Sequence, residues 1–230
     1  MRVIVFGTTG MVGSGVLLEC LDDPRIASVV SVVRQPGGVT HPKLREIVHD
    51  DFFDYLKIRA EFAGADACFY CLGVTSAGMN EADYRRITHD FTLAAAKEIH
   101  AKSPGVTFCF VSGVGTDDTG RGRVMWARVK GQTEQALRAM QFKEAFMFRP
   151  GYIQPLKGVR SKTALYQSVY NIVGPLFPLM RKIAPRHVTT TVDLARAMIE
   201  AARSGYTRTV IDMPDINRLA LQYEANRSRA

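Results

Sequence analysis

Short apolar runs alternate with amphipathic stretches along the first two-thirds of the chain. Seven runs are bounded by turn residues and rich in β-branched or aromatic side chains, as is typical of buried strands. They cover Arg2–Phe6, Ser28–Val33, Leu44–Val48, Ala67–Leu72, Val106–Val111, Ala145–Phe148 and Thr209–Asp212. Helical patterns lie between them at Met11–Leu21, Tyr55–Ala60, Glu81–Lys102 and Val124–Met140. This alternation predicts an α/β fold, a doubly wound parallel sheet with helices on both faces.

The pattern changes after Arg149-Pro150-Gly151. Residues 161–183 are apolar and aromatic, but Pro175 and Pro178 interrupt them, which disfavours an interfacial membrane helix. A small helical lid over residues 158–185, or a homodimer contact, is the preferred interpretation. A helix is predicted over 194–203, and the polar tail from Tyr223 onward is expected to fray.

The length of 230 residues suits one domain with an appended lobe. We expect residues 1–151 to form the ligand-binding sheet region. Residues 152–230 would add the lid or substrate segment and a final helix and strand, packed as one domain with the first. Because the first predicted strand begins at Arg2, no signal peptide is expected.

The net charge of +8 narrows the class of partner. The basic residues are scattered, whereas a nucleic-acid binder gathers them on one helix or patch. We therefore expect a phosphate-rich small ligand and either a small-molecule substrate or a protein partner, with no specific nucleic acid. No apolar run reaches membrane-spanning length.

The four cysteines are Cys20, Cys68, Cys71 and Cys109. Cys68 and Cys71 have C-x-x-C spacing, but they lie inside a predicted strand and not at a helix N-terminus, where a redox pair is activated. Buried, reduced thiols are the preferred interpretation, and a cytoplasmic location is the expectation that follows. No metal-ligand spacing is visible in the sequence.

The segment Gly7-Thr8-Thr9-Gly10-Met11-Val12-Gly13 joins the first strand to the first helix. Strand, glycine turn and helix are the context of a dinucleotide-binding turn, the mark of a Rossmann fold. Gly7 permits a tight turn, Gly10 lets a diphosphate approach the backbone, and Gly13 lets the helix pack close to the strand. All seven residues are predicted to contribute to a cofactor site.

Residues at the ends of later strands indicate which cofactor binds. Arg34 ends the second strand where a carboxylate would select NAD, so we expect NADP, with NAD as the lesser alternative and a plain surface arginine as the competing interpretation. Asp50 and Asp51 either accept from the adenine amino group or cap a local loop. The segment Leu72-Gly73-Val74 is expected to pass beside the cofactor.

Taken together, these motifs resemble the short-chain dehydrogenase/reductase superfamily, and within it the atypical, epimerase-like branch that includes a human Tat-interacting homologue. The resemblance rests on the glycine turn and on the strand ends CLGVT and VSGVG. It extends to Trp126-Ala127-Arg128-Val129-Lys130 and to Arg149-Pro150-Gly151. The resemblance implies a nicotinamide cofactor contacted also by Ser112, Lys130 and Pro150.

The same resemblance implies a catalytic Ser, Tyr and Lys, the last two spaced Y-x-x-x-K on one helix face. Lys130 matches, and Ser112 ends the fifth strand, one or two positions before the family's usual hydroxyl. Trp126 stands in place of the tyrosine, and its indole cannot shuttle a proton. Tyr152, and less so Tyr84, could supply the missing group, although either could simply be a packing residue.

Two functions remain open at this point. The first is an NADP(H)-dependent oxidoreductase or epimerase-type enzyme acting on a small carbonyl or alcohol, with Lys130, Ser112 and Tyr152 as candidate catalytic residues. The second is a non-catalytic NADP(H)-binding sensor or regulatory module, which the loss of the tyrosine at position 126 favours.

Overall fold

A seven-stranded parallel sheet organises the chain, and the computed structural model describes residues 1–159, 177–184 and 186–228. The strands are β1 (Arg2–Phe6), β2 (Ser28–Val33), β3 (Leu44–Val48), β4 (Ala67–Tyr70), β5 (Thr107–Val111), β6 (Glu144–Phe148) and, far along the chain, β9 (Val210–Ile211). Their order across the sheet is β3-β2-β1-β4-β5-β6-β9. The predicted doubly wound α/β fold is confirmed. Two short strands, β7 (Tyr152–Gln154) and β8 (Val188–Thr190), pair in parallel outside this sheet.

Helices cover both faces of the sheet. They are α1 (Met11–Asp22), α2 (Glu81–Arg85), α3 (Phe91–Lys102), α4 (Met125–Ala139), α5 (Phe177–Ile183), α6 (Thr191–Ser204) and α7 (Met213–Arg227). A π-helical turn, Arg86–Asp90, joins α2 to α3, so the predicted helix from 81 to 102 is continuous but contains one widened turn. A 3₁₀ helix, Arg59–Phe62, lies between β3 and β4.

The alternation of side chains along β1 divides the core into two halves. Val3 and Val5 pack with α1, α6 and α7, whereas Ile4 and Phe6 pack with α3 and the segment between β3 and β4. All four are fully buried. Burial of each such side chain contributes about 1.5–3 kcal/mol, which explains why a central strand can be apolar on both faces.

The strand order reverses beside β1, and this reversal places the candidate site. β1 pairs with β2 on one side and with β4 on the other. The connections from these strands leave in opposite directions, so a crevice opens between the carboxyl ends of β1 and β4. The glycine turn after β1 and the segment after β4 meet there.

Two expectations about secondary structure are wrong, and one helix was missed. The segment 55–60 is largely a turn, because the Asp54 carboxylate accepts the Leu56 N–H at 2.8 Å and competes with helix formation. Helix α7 was not predicted, although Asp212 caps it by accepting the Asp215 N–H at 3.2 Å. Tyr223, expected to begin a frayed tail, is fully buried under the Arg25 guanidinium, 4.6 Å from its ring centroid.

The sequence pattern also failed to indicate the paired strands β7 and β8 in the segment after Gly151. Strand β9, α6 and α7 pack onto the sheet formed by the first 151 residues. Most of the predicted lid, residues 158–185, lies outside the described residues; of its interior, the structure describes α5 and Ala184. Within the described ranges, no helix has the length and apolar character that a membrane span requires.

Candidate functional site

The glycine turn packs tightly between β1, α1 and the end of β4. Gly7 has a left-handed φ of +80°, and a Cβ there would lie 2.7 Å from the Cys71 carbonyl carbon. A Cβ at Gly13 would lie 2.1 Å from the Gly7 carbonyl oxygen. Both positions therefore require glycine on steric grounds. Thr8 is buried, and its hydroxyl is 2.7 Å from that of Ser31, which ties the turn to β2.

The amino end of α1 leaves its first backbone N–H groups without a side-chain partner. Gly10 is the N-cap residue, no side chain caps the helix, and no acidic residue lies in its first turn. Helices α6 and α7 differ, since Thr190 and Asp212 cap them. Free N–H groups and the helix dipole suit an anion at this end of α1.

A cavity of about 350 Å³ opens at this point, and we call it the glycine-turn cavity. Eight residues expected from the sequence to contact a cofactor line it: Gly7, Thr9, Gly10, Met11, Arg34, Leu72, Gly73 and Val74. Five further lining residues were missed: Val32, Val33, Phe52, Cys71 and Thr75. The fold brings these five in from the ends of β2 and β4 and from the loop after β3. A signal for them was present, since each of the five lies within two residues of a predicted cofactor contact in the sequence.

Residues that follow β2 and β3 contribute to this cavity and to a second one beside it. Arg34 borders both the glycine-turn cavity and a second cavity of about 420 Å³, which Asp50 also lines. The Asp51 carboxylate accepts the Phe53 N–H at 2.9 Å, which matches the alternative of a loop cap. Glu46, which the sequence did not indicate, accepts the Gly37 N–H at 3.0 Å and so places a carboxylate beside the loop after β2.

Ser112 belongs to a small hydroxyl network at the end of β5. Its Oγ lies 2.9 Å from Thr116 Oγ1, and the Thr116 hydroxyl donates to the Gly113 carbonyl at 2.8 Å. Because Thr116 uses its single proton on that carbonyl, Ser112 is the donor in the contact between the two hydroxyls. In this arrangement Ser112 offers only lone pairs to a further partner.

Lys130 reaches the same strand end from α4. Its ammonium donates to the carbonyls of Val111 at 3.1 Å and Ser112 at 3.2 Å, and it lies 5.3 Å from the centroid of the Phe110 ring. Burial lowers the pKa of Lys130 to about 8. The structure thus brings Lys130 and Ser112 together, as the Y-x-x-x-K resemblance implies.

Trp126 lies one turn before Lys130 on α4. A Cβ on Gly115 would be 3.5 Å from its indole, so the ring packs against the loop that follows Ser112. Position 126 therefore presents an indole at the place where the resemblance expects a phenol. The indole N–H donates a hydrogen bond but does not titrate in a useful range.

The two tyrosines considered as replacements have different surroundings. Tyr84 is buried, and burial raises its pKa, as expected of a packing residue. Tyr152 is half-buried on β7; its hydroxyl donates to Gln154 at 2.8 Å, and its ring centroid is 6.3 Å from that of Phe177. Burial raises the pKa of Tyr152 as well. The Pro150 carbonyl accepts the Val114 N–H at 3.0 Å, which fixes the turn before β7 next to the loop after β5.

The four cysteines are free, and burial raises the pKa of every one of their thiols. Cys20, Cys68 and Cys109 are buried, as expected of inert core thiols, whereas Cys71 is half-buried and lines the glycine-turn cavity. In the part of the chain that is described, no three His, Cys, Asp or Glu side chains are grouped so as to hold a metal ion.

Solved structures share this fold at low sequence identity. A UDP-N-acetylglucosamine 4-epimerase from Methanobrevibacter ruminantium M1 matches with a TM-score of 0.68 and 15% identity, covering 91% of this chain and 75% of that one. A short chain dehydrogenase/reductase family oxidoreductase from Burkholderia thailandensis gives 0.68 and 14%, covering 98% and 97%. Bordetella bronchiseptica WbmF, in complex with NAD⁺, gives 0.65 and 14%, covering 99% and 78%. The resemblance to the epimerase-like short-chain dehydrogenase/reductases is confirmed at the level of the fold.

Curated proteins match at higher identity, although no protein-family model matches the chain. Protein fmp52-2, mitochondrial, from Aspergillus terreus is 31% identical over 202 residues, 86% of this chain and 85% of its own length. The protein of the same name from Neosartorya fischeri is 31% identical over 226 residues, 94% of each. The expectation of a cytoplasmic location is wrong on this comparison, since both relatives are named as mitochondrial; free thiols argue only against an oxidising compartment. At this identity and coverage, the chain belongs to the family of the Fmp52 proteins.

Proposed function

We propose that the chain binds NADP(H) and acts as an oxidoreductase or epimerase-type protein on a small carbonyl or alcohol. The observation that carries the proposal is the glycine-turn cavity, which runs from the uncapped amino end of α1 to Arg34. One end supplies backbone N–H groups for a diphosphate, and the other supplies a guanidinium for a further phosphate. A dinucleotide phosphorylated on its ribose carries anions at both places.

The residues around the cavity have separate roles in this proposal. Gly7, Gly10 and Gly13 keep side chains away from the diphosphate, and the amides at the start of α1 bind it. Arg34 binds the 2′-phosphate, and Asp50 accepts from the adenine amino group. When bound, the nicotinamide supplies or accepts the hydride, and the protein provides position and electrostatic field.

The residues at the end of β5 and on α4 serve the reacting group. Lys130, held by two carbonyls, is placed to contact the nicotinamide ribose. Ser112 accepts a hydrogen bond from a substrate hydroxyl, since its own proton goes to Thr116. Trp126 donates one N–H to the substrate side but transfers no proton. Tyr152 is the candidate proton donor in this proposal, and to act it must exchange its hydrogen bond to Gln154 for one to the substrate. Burial raises its pKa, so the phenol is protonated but is a weaker acid than a free tyrosine.

The alternative is a non-catalytic NADP(H)-binding module that signals to a partner through the segment 158–185. Two observations favour it: the indole at position 126 and the engagement of the Ser112 proton by Thr116. Absence of the acid–base group removes a contribution of about two to four powers of ten to the rate. Cofactor binding itself is the same under both functions.

Calorimetric titration with NADP⁺ and NAD⁺ tests the cofactor assignment. We expect Arg34→Ala to weaken NADP⁺ binding about tenfold or more while changing NAD⁺ binding little, because only NADP⁺ carries the phosphate. Arg59→Ala removes the positive charge of another exposed arginine, on the 3₁₀ helix, and should change neither affinity. Equal losses for both nucleotides in Arg34→Ala would refute the assignment.

A screen of carbonyl substrates with NADPH separates the two functions. If the chain is an enzyme, the wild-type protein should oxidise NADPH with one of the carbonyls, and Tyr152→Phe should abolish that activity. If the wild-type protein shows no turnover but Trp126→Tyr does, the site lacks only the phenol, which favours the binding module. Silence of both proteins, with NADPH still bound tightly, supports the sensor.

A further inference from the structure

The second cavity adjoins the glycine-turn cavity and draws charged side chains from separate segments of the chain. It shares Arg34 and Phe52 with the first cavity, so the two are neighbours. Its other lining residues are Asp50, Met79, Asp83, Arg86, Ile87 and Phe91. None of the helical residues among these was expected from the sequence to contact a ligand.

Two arginine guanidiniums supply the hydrogen-bond donors of this cavity. Neither the Arg34 nor the Arg86 guanidinium has an ion pair or hydrogen-bond partner within the described ranges 1–159, 177–184 and 186–228. The Arg86 guanidinium carbon lies 5.8 Å from the ring centroids of both Phe53 and Phe91. Contact with aromatic rings orients a guanidinium while leaving its N–H donors available to a ligand.

The two carboxylates of the cavity, Asp50 and Asp83, balance its two guanidiniums in formal charge, so an anion is favoured here by hydrogen-bond donors that have no partner and not by net charge. The Asp83 carboxylate already accepts from the Asn80 side-chain amide at 2.7 Å, next to the N-cap of α2. The Asp50 carboxylate has no hydrogen-bond partner in the described part of the chain, and it faces the same cavity. Unpaired guanidinium donors beside one unpaired carboxylate suit a ligand that carries both a phosphate and an amino group.

The π-helical turn explains how Arg86 comes to face this cavity beside an aromatic ring. The Phe91 N–H bonds to the Arg86 carbonyl, five residues earlier. Such a turn brings residues i and i+5 close together along the helix, whereas a regular α-helix brings i and i+4 together. Phe91 thus lies against Arg86 and also packs against Phe52, with ring centroids 5.7 Å apart, at the border of the two cavities.

We infer that Arg86 is a second specificity-determining residue for NADP(H) and binds the ribose 2′-phosphate together with Arg34. The inference rests on the proposed NADP(H) binding. Phe52 and Ile87 supply apolar walls suited to an adenine ring, and Asp50 supplies an acceptor for its amino group. A phosphate between two guanidiniums receives paired, charge-assisted hydrogen bonds from both sides. NAD(H) has a hydroxyl at that position, so Arg86 contributes nothing comparable to it.

Titration of the full chain with matched nucleotide pairs tests this role. The probes are NADP⁺ against NAD⁺, and 2′,5′-ADP against 5′-AMP, which carry the same phosphate difference without the nicotinamide. We expect Arg86→Gln to weaken NADP⁺ and 2′,5′-ADP about tenfold and to leave NAD⁺ and 5′-AMP within about twofold. Arg59→Gln, with the same loss of charge on the 3₁₀ helix outside both cavities, should leave all four affinities unchanged. Because Arg86 is exposed, the thermal midpoint should match that of wild type.

The outcomes separate this inference from the proposal beneath it. If Arg34→Gln weakens NADP⁺ while Arg86→Gln does not, NADP(H) binding stands and the role of Arg86 is wrong. If Arg86→Gln weakens NAD⁺ as much as NADP⁺, Arg86 contacts the shared part of the dinucleotide and the inference is again overturned. If wild type binds none of the four probes, the proposed function itself fails.

Discussion

Gly73 offers a direct test of where the dinucleotide lies. It lines the glycine-turn cavity, and a Cβ added there would meet no atom within 4 Å. Gly73→Val therefore places an isopropyl group in the cavity without an internal clash. The free energy of unfolding should stay within about 0.5 kcal/mol of wild type, as for an uncrowded surface position. A ligand that fills the cavity must instead accommodate the added atoms.

The expected loss of affinity follows from the cost of overpacking. Extra methyl groups forced into an occupied space cost about 1–3 kcal/mol, which corresponds to about a 5- to 150-fold rise in the dissociation constant for NADP⁺. Calorimetric titration measures that constant, and denaturation in urea measures stability. Gly105→Val is the matched control, because its Cβ also meets no atom within 4 Å but lies before β5, outside the glycine-turn cavity. Wild-type affinity in Gly73→Val would contradict the proposed path of the dinucleotide, and so would an equal loss in Gly105→Val.

Three further predictions concern charge and burial. Burial lowers the pKa of Lys130 to about 8, so the affinity for NADP⁺ should fall several-fold from pH 7 to pH 9 as the ammonium loses its proton. Lys130→Arg, which stays charged, should show no such fall in the same titration. Arg149→Met leaves the fully buried Glu134 carboxylate without its ion pair, which should lower the free energy of unfolding, measured in urea, by about 3–5 kcal/mol. The double variant Arg149→Met/Glu134→Leu should recover most of that loss, and no recovery would contradict the ion-pair explanation. The three buried thiols, Cys20, Cys68 and Cys109, should react with a thiol reagent at pH 8 only as fast as the protein unfolds, and a fast native phase of more than one thiol, Cys71 being half-buried at the glycine-turn cavity, would contradict their burial.

The strands near the amino terminus could be predicted to the residue because each is bounded by local signals. The predicted limits of β1, β2 and β3 match the structure at both ends. The glycine turn could be predicted as well, because a left-handed φ at Gly7 and contact between α1 and β1 at Gly13 are demanded by local geometry. In these places the neighbours along the chain determine the conformation.

Other features depend on contacts between distant segments. β7 and β8 pair across 33 intervening residues, so neither strand carries a local signal of its partner. Glu46 reaches Gly37 only because β3 lies beside β2. Arg86 faces a cavity because one turn of its helix is widened, and a regular helical pattern does not show that widening. The sequence therefore indicated the glycine-turn end of the first cavity and missed much of the wall of the second cavity, beyond Arg34.

The two halves of the crevice differ in what they require of the sequence. Binding of a diphosphate depends on backbone N–H groups and on missing side chains, so the fold and three glycines largely determine it. Proton transfer depends on one side chain of suitable pKa at one position, and the indole of Trp126, one turn before Lys130, has no titrating group to supply it. A shared fold thus indicates where a ligand binds but not which reaction follows. The reaction has to be decided at Trp126, Ser112 and Tyr152, where the Ser112 hydroxyl already donates to Thr116 and the Tyr152 hydroxyl to Gln154.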